Sequence, residues 1–311
     1  MTIRTRIKQL SKKALWHLAP EYSRRSWVKP SKREFAIGIY TGDSPYSMRP
    51  AADIANPVLT AQQVTDVPAR CVADPFMLEV GARWYMFFEV ENQITMKGEI
   101  ALATSDDALH WQYQQVVLAE PWHLSYPCVF KWRGGFFMIP ESAHDRRVTL
   151  YRAAEFPSGW KPVTTLLEGS RFADSSIFRY DDHWWMLVDA GPNSQSPVLR
   201  LYSGTDLCGP WREHPRSPVL KSDPHNCRPG GRVLILDGRP VRLTQDIYPD
   251  YGKRLNAFEI TELTATSYRE RPVGTAPVLE PGDAAWNSNG MHHMDAHLMS
   301  DGSWLACVDG Y

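Results

Sequence analysis

The chain has 311 residues, 43% of them hydrophobic, with 34 basic side chains against 35 acidic ones. So much apolar residue supports a large core and excludes a disordered chain. The near-zero net charge gives no reason to expect a nucleic-acid partner. No run of 18 apolar residues occurs, and the first residues lack the uninterrupted apolar core of a secretory signal, which together point to a cytoplasmic protein. The five cysteines lack a CxxC pair and fit neither a disulfide framework nor a zinc site.

Residues 1–33 form a basic N-terminal extension. Ile3, Ile7, Leu10, Ala14 and Leu18 recur at helical spacing among Arg4, Arg6, Lys8, Lys12 and Lys13, and Pro20 ends the pattern. This predicts an amphipathic helix. Residues 1–19 could contact the inner face of an anionic membrane or pack as a solvated arm on their own domain, and both readings stand open.

Residues 34–311 carry a repeat of about fifty residues. Five segments share a polar anchor, an apolar run, a turn, a second apolar or aromatic run and a closing polar residue. They are ADPFMLEVGARWYMFFE, SYPCVFKWRGGFFMIPE, ADSSIFRYDDHWWMLVD, CRPGGRVLILDGRPVRLTQD and MDAHLMSDGSWLACVD. The anchors are Asp74, Tyr126, Asp174, Arg228 and Asp295, and the closing residues are Glu89, Glu141, Asp189, Asp246 and Asp309. Turn residues at mid-segment, such as Gly134, Asp181-Asp182 and Asp237-Gly238, predict a β-hairpin for each. Between hairpins come strand, turn, aromatic and strand again, with Trp111, Trp160, Trp211 and Tyr268 as the aromatics. Four strands per repeat, arranged radially, make an all-β, five-bladed β-propeller. The fifth hairpin lacks outer strands of its own, and residues 35–59 have the pattern to supply them, which would pair otherwise bare sheet edges.

A hairpin returns to its start, so anchors and closing residues should ring one opening of the propeller. Such an acidic ring suits chemistry at a glycosidic bond, which needs two carboxyls roughly 5–9 Å apart. Asp74, Glu141 and Asp174 are the candidate catalytic residues. Asp74 is expected as the base, and Glu141, beside Pro140 and an apolar run, as the acid. Glu89, His123, Tyr126, Arg228, Asp246, His293, Asp295 and His297 are the candidate substrate-binding residues. Each acid could instead hydrogen-bond strand ends and loops, and Arg228 could serve a structural ion pair. His293, Asp295 and His297 alternate and would share one strand face. They could hold a divalent metal, although substrate hydrogen bonding or packing fits them better, and no cofactor is predicted. Paired aromatics such as Trp84-Tyr85 and Trp184-Trp185 are expected to pack between blades.

The arrangement resembles the five-bladed propellers of arabinanases, β-xylosidases and invertases, whose first inner strand carries the base or nucleophile that Asp74 matches. Their second-blade Asp-Pro pair is Tyr126-Pro127 here. Residues 35–311 more closely resemble the N-terminal domain of glucosamine inositolphosphorylceramide transferases, through GDSPYSMRP, VADPFM, YMFFEVEN, GEIALATSDDALHW, HLSYP, MIPES, GPWREHPRSPV and MHHMDAH. That resemblance implies a glycosyltransferase role in surface polysaccharide or glycolipid synthesis, with a sugar donor and a saccharide or lipid-linked acceptor as partners. The chain has no DxD triplet, the metal-nucleotide motif of many transferases. A glycoside hydrolase and a non-catalytic sugar-binding propeller are the alternatives.

Overall fold

The computed structural model describes residues 33–311, and the amphipathic helix expected near the N-terminus lies outside them. Five antiparallel sheets form the five expected blades. From the inside outward, the first blade is Ala69–Val80, Arg83–Asn92, Lys97–Ser105 and Gln112–Leu118. The second is Ser125–Trp132, Gly135–Glu141, Arg147–Glu155 and Ser158–Glu168. The third comprises Ala173–Tyr180, His183–Asp189, Val198–Gly204 and Arg212–Glu213, with Leu220–Lys221 also paired to Val198–Gly204.

The hairpin turns form where the sequence places them. Arg133-Gly134, Asp181-Asp182 and Asp237-Gly238 each hold two successive residues at positive φ, the conformation that matches the twist of the flanking strands. Aspartate tolerates it because its short polar side chain bonds locally.

In the fourth blade the inner strand is split. Arg228–Pro229 and Leu234–Leu236 both pair with Arg239–Asp246, followed by Arg254–Leu263 and Tyr268–Pro272. Gly230 and Gly231 occupy the gap. A Cβ on Gly231 would stand 1.9 Å from the Met294 carbonyl oxygen, so only glycine lets the inner strands of the fourth and fifth blades approach this closely.

The fifth blade is built from both ends of the described chain. Met294–Leu298 and Trp304–Gly310 form its hairpin, and Ala36–Gly42 pairs with Trp304–Gly310 from Ala36↔Gly310 to Gly42↔Trp304. Arg49–Pro50 adds the outer edge. The closure expected of residues 35–59 is thus formed by their strands.

Apolar side chains fill the spaces between blades. Trp84, Trp184 and Trp185 are buried in three different clusters, as expected for inter-blade packing, and Trp160 meets Phe87 edge-on with centroids 5.4 Å apart. All five cysteines are free, and Cys208 alone is exposed.

Candidate active site at the channel mouth

Pairing between the two inner strands fixes the depth of every anchor. Ala73 faces Glu89, Ser125 faces Glu141 and Ala173 faces Asp189; the register then skips to Phe76, Cys128 and Ser176. Asp74, Tyr126 and Asp174 occupy these bulges with φ of 52°, 45° and 53°. Three non-glycine residues in the left-handed region, at one structural position of three blades, represent about 1–3 kcal/mol of backbone strain each. Such bulges re-aim side chains.

The fifth blade has no bulge, and this corrects one anchor. Asp295 faces Cys307, level with Phe76, Cys128 and Ser176, while Met294 takes the anchor's place. Asp295 is fully buried. Its oxygens accept from Arg232 Nε at 2.7 Å and from the Met77 amide at 2.7 Å, and His297 Nε2 lies 3.0 Å away. Arg232 also donates to the Val129 and Met77 carbonyls. Burial opposes ionisation of Asp295, but Arg232 outweighs it and holds the carboxyl well below its usual range. Asp295 therefore lies among structural partners rather than at a sugar-facing rim. His293, Asp295 and His297 do not gather as one set: His297 meets Asp295 and packs edge-on to Trp84, while His293 packs edge-on to Phe76 and Tyr126.

The other ring residues divide further. Asp246 is held by His225 at 2.9 Å, Arg254 at 2.8 Å and the Tyr248 amide, and Asp189 accepts from the Gly191 and Val198 amides. Tyr126 is fully buried. Its hydroxyl accepts from the Gly231 amide at 2.7 Å and hydrogen-bonds Ser176 Oγ and the Gly231 carbonyl, so it ties the second blade to the third and fourth.

Asp74, Glu141, Asp174 and Arg228 do come together, joined by Asp309, His292 and Gln245. Asp174 Oδ2 accepts from Arg228 Nε and from Gln245 Nε2. Glu141 Oε2 accepts from the Asp174 amide at 3.2 Å and Arg228 Nη2 at 3.5 Å. The guanidinium also lies 5.1 Å from the Tyr251 ring centroid. Arg228 thus makes the structural ion pair that its residue type allowed.

Asp74 has a different environment. Asp309 Oδ2 accepts from the Asp74 amide at 2.9 Å, and His292 Nδ1 lies 2.6 Å from Asp309 Oδ1. That contact directs His292 Nε2 toward Asp74 Oδ1, 3.5 Å away, and this Asp74 oxygen has no hydrogen-bond partner. Burial pushes the Asp74 carboxyl up to about 8; His292 opposes the shift, while Asp174, Asp309 and Glu141 reinforce it. Burial thus favours the protonated form of Asp74, whereas the expected base role needs a carboxylate. Burial also disfavours charge on His292, but Asp309 outweighs it and raises the ring above its ordinary value. The outcome is a close His292–Asp309 contact that favours the charged imidazole, set against a carboxyl that burial draws toward its neutral form.

Asp74, His292 and Asp309 have ligand atoms within 4.8 Å of one another, the one such grouping among the described residues. Their mutual contacts already engage Asp309 with both neighbours. Sequence reasoning passed over His292, Gln245 and Tyr251. The only signal for His292 was its position beside His293, and strand alternation counted from Asp295 selects the wrong one of the pair.

Fold and site together define a five-bladed propeller with a buried acidic cluster at one end of its axis. The same fold occurs in a glycosyl hydrolase from Bacteroides ovatus, with a TM-score of 0.58 and 11% identity over 78% of this chain and 85% of that one. A family 117 glycoside hydrolase from Zobellia galactanivorans shares it at a TM-score of 0.53 and 14% identity, over 76% and 84%. An exo-β-1,3-galactanase from Clostridium thermocellum does so at 0.56 and 12%, over 72% and 52%. These are likenesses of fold. The family model for glucosamine inositolphosphorylceramide transferase 1, N-terminal, matches residues 29–311, and the chain belongs to that family. Proteins named glucosamine inositolphosphorylceramide transferase 1 are 36% identical in Oryza sativa and 33% in Arabidopsis thaliana, over 89% of this chain. The chain spans 40% and 39% of their respective lengths.

Proposed function

We propose that the protein is a carbohydrate-active enzyme that transfers a glycosyl group to a saccharide or lipid-linked acceptor, with Asp74 as the proton donor at the channel mouth. The observation that carries this reading is the buried Asp74 carboxyl, whose Oδ1 has no hydrogen-bond partner and faces Nε2 of the His292–Asp309 pair at 3.5 Å. Family membership, with its transferase-named relatives, supports transfer over other uses of such a site.

In the proposed step the bond between the anomeric carbon and the leaving oxygen breaks, and that oxygen takes the Asp74 proton. The acceptor hydroxyl bonds to the same carbon and gives its proton to Glu141. His292 then stabilises the Asp74 carboxylate left behind, as an oriented imidazolium does for a neighbouring anion. Asp174 and Arg228 hold Glu141 in place. Acid and base are thereby exchanged relative to the sequence-based expectation, because burial favours the protonated form of Asp74.

The test is incubation of the purified protein with pooled nucleotide sugars, oligosaccharides and lipid extract, with products followed by mass spectrometry beside Asp74→Asn. A glycosylated product absent from the variant supports transfer. Smaller saccharides alone would replace transfer by hydrolysis, with water as the acceptor. Saccharide binding without any product would leave a binding module and sink the proposal.

A further inference from the structure

A further carboxyl, Glu89, lies near the same cluster. Glu89 lies near the end of Arg83–Asn92, between Ala73 and Ile100 on the neighbouring strands. His123 reaches it from the loop between the first and second blades. The Gly98 amide donates to His123 Nδ1 at 2.8 Å, so that nitrogen offers its lone pair and the proton of the neutral ring must sit on Nε2. Nε2 lies 3.4 Å from Glu89 Oε1. The packing leaves little freedom for another arrangement: a Cβ on Gly98 would stand 2.2 Å from the Leu124 carbonyl oxygen, 2.6 Å from Glu89 Oε1 and 2.9 Å from His123 Cε1.

We infer that Glu89 and His123 form a positioning dyad in which the Nε2–H of His123 fixes one oxygen of Glu89 and the other oxygen presents a hydrogen-bond donor to a saccharide oxygen at the mouth. This rests on the reading of the mouth as a saccharide site. Glu89 and His123 keep side-chain exposures of 12% and 28%, against 7% for Asp74 and 8% for Glu141, so the dyad is more open to solvent than the two carboxyls of the proposed step.

The charges on every side favour neutral partners. Around Glu89, burial raises the carboxyl well above its usual range, Asp74, Glu91 and Glu141 add to the shift, and Arg70 opposes it. Around His123, burial pushes the ring down to about 4, His144 and Lys97 act the same way, and Glu91 and Asp174 oppose. With Oε1 facing the imidazole Nε2 at 3.4 Å, Oε2 is the oxygen left to carry a carboxyl proton and donate it into a hydrogen bond. A protonated carboxyl held this way recognises an accepting oxygen and does not repel an anionic one. Gln at position 89 would reproduce both halves of the geometry, an acceptor for His123 and a donor for the ligand. Ala would reproduce neither.

Three measurements test this. Nitrogen-15 NMR of the ligand-free protein should show His123 as the neutral Nε2–H tautomer at pH 6. Infrared spectra at neutral pH should contain a protonated-carboxyl band that disappears in Glu89→Gln, separately from the one lost in Asp74→Asn. In the transfer assay Glu89→Gln should exceed Glu89→Ala by about tenfold, the effect of one neutral hydrogen bond, and should lack the alkaline fall in apparent affinity that wild type shows as Glu89 ionises. An Nδ1–H or charged His123, no band assignable to Glu89, or equal losses in the Gln and Ala variants would each overturn the inference. The two spectroscopic results stand even if no transfer is found, so failure of the dyad and failure of the transferase reading are distinguishable.

Discussion

A carboxyl whose value rises from 3.8 to about 8 on folding binds its proton more tightly in the folded chain. Its contribution to stability is complete below pH 3.8 and falls away as pH rises through about 8. Asp74→Asn removes that slope. Melting temperatures of variant and wild type should therefore diverge in the variant's favour as pH rises from 3.8 to about 8 and run parallel above it; parallel curves throughout would mean that Asp74 is not held protonated. The same substitution should lower turnover by roughly 10²–10⁴, the usual worth of a positioned proton donor, while saccharide binding persists. Asp74, Glu141, Asp174 and Arg228 could be grouped from sequence because each recurs at one position of a repeat, and position in a repeat converts directly to position around an axis. The charge state of Asp74 could not be read that way. It depends first on burial, and then on one imidazole and three carboxyls brought together from the second, third and fifth blades. Asp295 was misplaced for a related reason: the bulge that sets the depth of Asp74 and Asp174 is a backbone feature without a residue signature.

At the scale of the strand, Ala36–Gly42 does more than extend a sheet. Its Ile37 and Ile39 are fully buried, in the cluster that also contains Phe88 of the first blade and Cys307 of the fifth. Ile39→Ala should cost about 2–5 kcal/mol in urea unfolding. Ile235, 47% exposed on a hairpin of the fourth blade, is the control, and Ile235→Ala should fall within about 0.5 kcal/mol of wild type. Equal effects at the two positions would mean that closure of the fifth blade contributes little to stability. The strand pattern itself was legible, because alternating apolar residues bounded by turn residues specify hairpins locally. The split inner strand of the fourth blade was not. Gly230-Gly231 reads in sequence as a turn, and what it accommodates is the backbone of Met294, a neighbour from a different blade.

Across the whole molecule, two small networks tie the blades together around the axis. Tyr126, Ser176 and Gly231 join the second, third and fourth blades. Arg232, from the fourth, reaches Asp295 of the fifth and carbonyls of the first and second. Removing one partner of such a pair leaves the other charge buried and alone. Arg232→Met should accordingly destabilise the protein by about 3–5 kcal/mol in chemical unfolding. Tyr126→Phe, which strands the Gly231 amide, should cost about 1–3 kcal/mol. Losses much smaller than these would show that packing between blades, rather than the axial contacts, holds the ring closed. The pairing of Ala36–Gly42 with Trp304–Gly310 also sets a timetable for biosynthesis. A ribosome adding about 5–20 residues per second delivers the strand that contains Ile37 and Ile39 before the four intervening blades and its partner only after them. While those blades are made, that strand has no native neighbour on this edge, so the nascent chain must keep it from pairing elsewhere until the fifth hairpin emerges.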